Sequence, residues 1–530
     1  MKMKKILALL LASAMVLSMA ACGKKEKPDD SKSAAPSGST STEDKSSDEP
    51  AKPVKDTLVI GHYGDTPNFD THNNLNDCGM RINLSVYDPL VRMDNTTYEI
   101  KPCVAESWEI SDDGTEYTFA IKPGIKFSDG TDLTVDDVVF SLERGIKMPM
   151  AVPSFGRVQG VEKVDDSHVK VKLDGPYNEF LFAMALPTAG ILSKAAFESM
   201  GEEKFAERPV TTGPYYVSDW KVGEKVVLKA NEHYHMGEVP IKNVEYRVIS
   251  DANSAVLNLE SGDIDAYVDV PQTSYKRISE NENLELHKGE AFAYRFIQLN
   301  CDRPPFNNPD ARKAMAYATD KEAMLYGIMD GDGTIIDTFC TPEYVGYTDD
   351  VTKYPYDLDK AKELFTKAGV TEDTPIEIVL YDPITSKFAQ VIQDSLHQIG
   401  ITTNINQMER SAFDDACLGG DFDLICAGGT FTAPSIDDSI YTCIHSSMNE
   451  VRNYGHYNSE RADELLDTAR VTMDEGERAK LYNELMKLLS DDVPLIPTLW
   501  RTKNIACNKD LKGVTSNPWS FYNLYEMSWG

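Results

Sequence analysis

Positive charge is scarce in this 530-residue chain. It carries 53 Lys and Arg against 85 Asp and Glu, so its formal net charge is −32 with neutral His. Proteins that bind nucleic acids cluster basic residues against the phosphate backbone. The composition therefore excludes nucleic acid as a partner and argues against polyanionic ligands in general.

Motifs of the common hydrolases and nucleotide-binding proteins are also missing. The sequence contains no G-x-S-x-G, no H-E-x-x-H and no phosphate loop ending in G-K-[ST]. Acidic residues are plentiful, so an exported glycosidase with two carboxylates stays open as an alternative. The absences favour a binding protein over an enzyme.

The nine cysteines show neither C-x-x-C nor Cys/His metal spacing. Cys22 stands apart near the amino terminus. The other eight are either buried free thiols or include one or two disulfides, and their spacing assigns no pairing. His233 and His235 form a His-x-His pattern without a third ligand nearby in sequence, so we predict no metal site and no cofactor.

The amino-terminal hydrophobic run is too short to span a membrane. Ile6–Met19 is rich in Ala and follows three Lys, which is typical of an export signal. Met19-Ala20-Ala21-Cys22-Gly23 resembles a bacterial lipobox, although Met19 stands where Leu is preferred. We expect residues 1–22 to be a lipoprotein signal peptide with Cys22 as the lipidated residue; an ordinary cleavage near Ala20 is the alternative.

A polar segment follows the signal peptide. Gly23–Pro53 has no aromatic side chain, and Ala is its only apolar residue type. Such a segment cannot bury enough surface to order itself. We predict a disordered tether over residues 23–55, with an average reach of about 30 Å.

The stretch from Glu99 to Gly145 alternates between strand and turn signals and then opens a helix. Tyr117, Phe119 and Ile121 recur with period two, which predicts a half-buried strand. Thr134 and Asp137 have the spacing of a capping box at the start of a helix. Nothing in this stretch is catalytic.

The same stretch resembles the family-5 extracellular solute-binding proteins, the peptide, dipeptide and nickel-binding group that serves ABC importers. Its P-x-x-A-E-S-W-E, D-G-x-x-Y-T-F, G-x-K-F-x-D-G and D-D-V-V-F-S-L motifs stand in order at 102–109, 113–119, 124–130 and 136–142. Further similar motifs extend the resemblance over about residues 56–530. So many ordered motifs are specific for the class and much less so for the ligand.

The resemblance implies an α/β protein with the two-lobed type II periplasmic-binding-protein fold. Lobe I would comprise residues 56–295 and 493–530, with an inserted subdomain near 91–207. Lobe II would comprise residues 296–492. Ligand would bind between the lobes as they close.

The resemblance also implies which segments border the ligand. Asn76 and Asp77 lie in a loop that borders the cleft in this family, although turn formation alone would explain both residues. The segment Gly428-Gly429-Thr430-Phe431-Thr432 follows a strand, and its glycines permit a close approach of backbone and ligand.

The anchors that relatives use for peptide ends are rearranged here. In oligopeptide and dipeptide binders an Asp after the glycine-rich strand holds the ammonium, and that position is Thr432. Dipeptide binders use an Arg in the loop after the preceding strand, where this chain has Tyr381 and Asp382.

Other charged residues would then hold the ligand. Arg410 is expected to serve a carboxylate, and Asp77, Asp382 or Asp437 an amine; the alternative is that Arg410 and Asp437 are surface charges. We predict that simple dipeptides bind weakly and that Arg410→Ala and Asp382→Ala each weaken binding of the natural ligand.

The sequence thus predicts a lipid-anchored, monomeric substrate-binding protein on the outer face of the cytoplasmic membrane. Its expected partners are a small solute, for which a peptide is favoured, and an ABC permease with its ATPase. A non-peptide solute, such as a metal chelate, a sugar or a modified amino acid, is the first alternative, and an exported hydrolase the second.

Overall fold

The computed structural model describes residues 55–430, 433, 435–515 and 522–530, without the side chain of Asp438. The predicted signal peptide with Cys22, most of the predicted tether, and Phe431 and Thr432 lie outside the described residues.

An eleven-stranded mixed sheet forms the backbone of the fold. Its strands follow the order β15-β14-β16-β12-β17-β11-β1-β10-β9-β8, and β13 pairs with β17. The bounds are β1 Thr57–His62, β8 Tyr215–Lys221, β9 Lys225–Ala230, β10 Asn243–Val248, β11 Ala266–Val268, β12 Leu284–Leu299, β13 Thr334–Ile335, β14 Ile376–Leu380, β15 Thr403–Gln407, β16 Leu424–Thr430 and β17 Leu495–Asn508.

The strands β12 and β17 run through the middle of this sheet. Residues 284–290 of β12 pair with residues 508–502 of β17, and the pairing resumes at Tyr294 opposite Trp500 after an irregular step. β11 pairs with β17 before that step, whereas β16 joins β12 beyond it. The two long strands therefore carry the chain between the halves of the sheet.

A separate antiparallel sheet of four strands lies within residues 105–173. Its order is β4-β5-β7-β6, and the buried residues of β5 alternate as the period-two pattern predicts. The bounds of the small strands are β2 Val91–Met93, β3 Ile100–Pro102, β4 Ala105–Ile110, β5 Glu116–Ile121, β6 Val158–Lys163, β7 His168–Leu173, β18 Leu511–Lys512 and β19 Ser528–Trp529. This sheet lies within the segment 91–207, which is predicted to be an inserted subdomain.

Helices cover the sheets. They are α1 Asp77–Val86, α2 Val135–Lys147, α3 Val152–Phe155, α4 Phe180–Ala183, α5 Lys194–Met200, α6 Glu202–Glu207, α7 Ala252–Ser261, α8 Tyr275–Ser279, α9 Pro309–Tyr317, α10 Leu358–Lys367, α11 Pro383–Gln398, α12 Arg410–Gly419, α13 Asp437–Ile444, α14 Glu460–Val471 and α15 Glu475–Asp492, with a π-helical turn at Ala323–Ile328.

Helix α1 corrects one expectation. The sequence predicts a helix over residues 81–90, but α1 begins at Asp77 and ends at Val86. The residue before a proline avoids the helical region, and Asp88 precedes Pro89. The helix therefore stops short of the Tyr-Asp-Pro-Leu motif, and Asn76 caps its amino end.

The largest hydrophobic cluster of the described residues joins the predicted insert to the second half of the main sheet. It includes Phe119, Val138 and Phe180 from the insert together with Phe292, Tyr294 and Trp500 from the long strands. The aromatic rings of Tyr98 and Phe292 meet with centroids 5.5 Å apart. The insert therefore packs on the long strands.

The eight described cysteines are free, and seven of them are buried. The question of one or two disulfides is thereby settled in favour of free thiols. No helix in the described part of the chain is long and apolar enough to cross a membrane.

Candidate functional site

Seven charged side chains gather where β12 and β17 pass between the two halves of the sheet. They come from α1, the end of β11, β12, β17 and the start of α11, and they interact electrostatically with one another. We call this group the charge belt: Asp77, Arg81, Asp269, Arg295, Asp382, Arg501 and Lys503. It contains four cations and three carboxylates, so it carries a surplus of one positive charge in a strongly acidic protein.

Asp269 organises one side of the belt. Its carboxylate lies 2.6 Å from Nη2 of Arg81, which is buried, and 3.9 Å from Nζ of Lys503. Burial alone would raise the pKa of Asp269, but Arg81 and Lys503 outweigh it and hold the pKa below its usual range. Asp269 also has φ of 58°, an uncommon conformation outside glycine.

Arg295 and Asp382 form the other side. Nη1 of Arg295 lies 3.1 Å from Oδ2 of Asp382, and both side chains are largely buried. Asp382 is also the amino-terminal cap of α11, because its carboxylate accepts hydrogen bonds from the backbone of Ile384 and Thr385. Burial opposes ionisation, yet Arg295 and these hydrogen bonds lower the pKa of Asp382.

Arg501 belongs to β17 and lies between these two ion pairs. It is partly buried, and burial and the nearby Arg295 lower its pKa against the pull of Asp269, Asp382 and Asp77. In the part of the chain that the structure describes, no carboxylate oxygen approaches Arg501 within 4.0 Å. A guanidinium in such surroundings is a ready receptor for a planar anion such as a carboxylate.

Asp77 is the exposed member of the belt. It opens α1, and the hydroxyl of Tyr63 lies 3.4 Å from its carboxylate. Asn76 caps the helix by accepting a hydrogen bond from Gly79, which explains its presence without a ligand. Asp77 therefore offers an accessible negative charge near the buried cations.

The predicted glycine-rich segment borders the belt through Gly428. A Cβ atom at this exposed position would lie 3.0 Å from Nη1 of Arg295, and one at Gly429 would lie 2.5 Å from the ring of Tyr294. Side chains at either position would displace these neighbours. Thr430 ends β16 and is exposed.

Arg410 lies next to Tyr381 but has its own partner. Its guanidinium lies 4.7 Å from the ring of Tyr381 and forms an ion pair of 2.8 Å with Asp414 one turn along α12. Its side chain is 52% exposed. Arg410 is therefore a half-exposed cation next to Tyr381, the first residue after β14.

Asp437 is fully buried, and its neighbours are protein groups. It forms an ion pair of 2.8 Å with Arg470 and accepts a hydrogen bond from Tyr482 at 3.1 Å. This placement favours a structural role, since removing one partner of a buried pair is costly.

The sequence patterns do not predict a ligand-binding role for five members of the belt: Arg81, Asp269, Arg295, Arg501 and Lys503. Arg501 and Lys503 belong to a strand whose residues read as an apolar run followed by mixed polar residues. One signal was available: on a pleated strand, positions 501 and 503 face the same side. Their partners come from segments far away in sequence, which spacing cannot reveal.

The chain belongs to a known family of binding proteins. Residues 99–450 match the family described as "Bacterial extracellular solute-binding proteins, family 5 Middle". The resemblance stated from the motifs is thereby confirmed. The protein is an extracytoplasmic solute-binding protein of the ABC-importer class.

Individual relatives cover almost the whole chain. The oligopeptide-binding protein AppA of Bacillus subtilis is 29% identical over 98% of this chain and 97% of its own length. The Escherichia coli protein named "Probable D,D-dipeptide-binding periplasmic protein DdpA" is 26% identical over 89% of this chain and 94% of its own. The structure of HbpA2 from Haemophilus parasuis superposes with a TM-score of 0.82 at 26% identity, covering 89% of this chain and all of that one.

The comparisons confirm the predicted fold class and the exclusion of an enzyme. The structural neighbours are two-lobed periplasmic binding proteins, and the relatives are transport proteins that bind substrates. The mixed α/β fold with its inserted sheet is therefore that of a family-5 binding protein.

Proposed function

We propose that this protein captures a peptide with a free carboxylate between its two lobes and presents it to an ABC permease. The observation that carries the proposal is the partly buried Arg501, for which the described residues provide no ion-pair partner. Asp77, Asp269 and Asp382 attract Arg501 only from beyond 4.0 Å, so its guanidinium is open to donate two hydrogen bonds to a carboxylate of the ligand.

The two long strands support a division of the chain into two lobes. We place lobe I at residues 56–295 and 493–530, with the insert at about 91–207, and lobe II at residues 296–492. The irregular step in β12 between Glu290 and Tyr294 supports a hinge there. Asp269, Arg501 and Lys503 then belong to lobe I and Asp382 to lobe II, so a ligand on the belt touches both.

The charges of the belt suit a zwitterionic ligand. The carboxylate would bind Arg501 with support from Lys503, and the ammonium would bind the exposed Asp77. Asp382 is held by Arg295 and by the start of α11, so it acts on the ligand chiefly by fixing Arg295. Gly428 and Gly429 leave room for a backbone to approach.

Arg410 and Tyr381 line the same proposed cleft from lobe II. Arg410 is half-exposed and stacked on Tyr381, which suits contact with a longer ligand better than tight capture of a carboxylate. The expectation that simple dipeptides bind weakly remains a prediction, and it agrees with anchors placed differently from those of dipeptide binders.

A comparison of free and amidated peptides tests the proposal. The protein is unfolded and refolded to remove carried-over ligand and offered a mixed tri- and tetrapeptide library, and retained peptides are identified by native mass spectrometry. We expect retained peptides to carry a free carboxylate and their amides to bind at least about 30-fold more weakly. Arg501→Gln should lose most of this preference for the free acid, since only Lys503 then supports the carboxylate.

The matched control is Arg461→Gln, which removes an exposed cation on α14 and should leave the preference intact. Amides that bind as tightly as the free acids would refute the role of Arg501. Recovery of only a non-peptide solute would refute the peptide assignment and favour the alternative ligand class.

The anchor is a separate part of the proposal. We propose that Cys22 is lipidated and that the segment after it tethers the binding domain to the membrane, because Ala21-Cys22-Gly23 follows a short Ala-rich run. Cys22→Ser should abolish lipid attachment, and it should either block processing at this site or release the protein into the medium. Metabolic labelling with a fatty-acid analogue checks this, and a labelled Cys22→Ser protein cleaved at the same position would contradict it.

A further inference from the structure

Three ligand-type side chains from separate segments meet in lobe I, away from the charge belt. Asp88 precedes β2, Cys103 lies between β3 and β4, and His235 lies between β9 and β10. Their ligand atoms all lie within 4.8 Å of one another, and Nε2 of His235 is 2.9 Å from Oδ2 of Asp88.

This cluster is shielded from solvent. The side chains of His235 and Asp88 are 4% and 7% exposed, and Cys103 is 1% exposed. Nδ1 of His235 is buried and has no hydrogen-bond partner among the described residues. Nε2 is the nitrogen that faces Asp88, so it is the atom placed to bind an ion.

We propose that Asp88, Cys103 and His235 bind a divalent transition-metal ion of the zinc type. Thiolate, imidazole and carboxylate are the ligands that zinc takes, and three of them with one open position are common around it. One thiolate and one carboxylate balance the two charges of the ion, and Arg92 lies beside them as a further cation.

The spacing of the side chains is compatible with that ion. Zinc–ligand bonds of about 2.0–2.3 Å separate tetrahedral ligands by about 3.3–3.8 Å. The ligand atoms are already within 4.8 Å of one another, so small side-chain rotations bring them to the required separations. These rotations lengthen the contact between Asp88 and His235.

A fourth ligand also has room. A cavity of about 60 Å³ adjoins Asp88 and Cys103 and is lined as well by Arg92, Tyr234 and Asn523. A water molecule occupies about 30 Å³ in the liquid. The cavity therefore accommodates water at the open position of a tetrahedral ion.

The position of the site indicates a structural role. Asp88 and Cys103 flank β2 and β3, where the predicted insert leaves the proposed lobe I, and His235 lies in the connection from β9 to β10, with β9 next to the edge strand β8. A bound ion would tie the root of the insert to that edge. Metal bound in the folded protein alone stabilises it by mass action.

Titration with metal alone tests the proposal. The complete protein is stripped with a chelator, reduced with a phosphine and titrated with Zn²⁺ by calorimetry and with Co²⁺ by absorption. We expect one equivalent to bind, a thiolate-to-cobalt charge-transfer band and a higher melting temperature. Cys103→Ser and His235→Gln should each weaken binding by about 100-fold or more.

His233→Gln is the matched control, because His233 is exposed and only two residues from His235. It should bind zinc like the unaltered protein. Absence of the charge-transfer band in the unaltered protein, or an unchanged band in Cys103→Ser, would overturn the proposal. If Cys103→Ser fails to fold, Asp88→Asn and His235→Gln replace it under the same criteria.

Discussion

At the scale of single residues, Asp382 and Gly428 are predicted ligand-binding residues because they follow recognisable strands, and that role stays a prediction. Both lie at the charge belt, next to Arg295. Asp437 was selected for its charge after a glycine-rich strand, but the structure buries it against Arg470. Burial depends on tertiary packing, which local sequence patterns do not contain.

Arg501 illustrates what residue patterns miss. Its neighbours Asp77, Asp269, Arg295 and Asp382 come from four other segments, and their convergence is a property of the sheet order. The sequence alone does not distinguish a charged strand residue at the surface from one among other charges inside the protein. Only the pairing of β17 with β11 and β12 places it among these neighbours.

The buried His62 should make stability depend on pH. Its Nε2 lies 3.2 Å from the hydroxyl of Tyr522, and burial, together with Arg81, lowers its pKa from 6.5 to about 3. The unfolded chain binds a proton on this residue below pH 6.5 but the folded protein does not. The stability associated with neutral His62 is therefore complete above pH 6.5 and is lost as pH falls toward 3.

Urea unfolding between about pH 7.5 and 5 measures this effect. The free energy of unfolding should fall less steeply with decreasing pH in His62→Gln than in the unaltered protein. The difference in slope should approach about 1.4 kcal/mol per pH unit below the unfolded pKa. The exposed His397→Gln is the control, and parallel slopes for His62→Gln and the unaltered protein would contradict the expectation.

At the scale of elements, strong local signals gave reliable predictions. The predicted capping box at Thr134 and Asp137 starts α2, and the backbone N–H of Thr134 donates to the Asp137 carboxylate at 2.9 Å. The same carboxylate accepts a hydrogen bond from Lys194. Residues 376–405 show strand, helix and strand patterns in that order, which predicts a β-α-β unit with parallel strands. The unit is present as β14, α11 and β15, with its strands parallel.

Element boundaries were less predictable. The apolar spacing predicts a helix over Phe388–Ile399, but α11 starts at Pro383 with Asp382 as its cap. Proline in the first turn after a capping Asp is a local signal for that start. The apolar run Phe292–Leu299 predicts a strand, but β12 extends over sixteen residues, Leu284–Leu299. Its first half is polar and lacks a strand pattern, because its pairing partner is the distant β17.

At the scale of the molecule, the ordered motifs determined family and fold, whereas the ligand depends on contacts between lobes. One such contact is visible outside the belt. The side-chain amide of Asn178 in the insert donates to the backbone carbonyls of Ala469 and Arg470 at the end of α14, both at 3.1 Å. This contact joins the predicted insert to the proposed lobe II.

The central claim is that a carboxylate-bearing ligand closes the two lobes through Arg501. Small-angle X-ray scattering of the refolded protein, with and without a saturating peptide retained from the library, tests it most directly. We expect the free-acid peptide to lower the radius of gyration relative to the protein without peptide. Neither its amide nor the free acid added to Arg501→Gln at the same concentration should change it. An unchanged radius of gyration at saturation, or equal compaction by the acid and the amide, would contradict it.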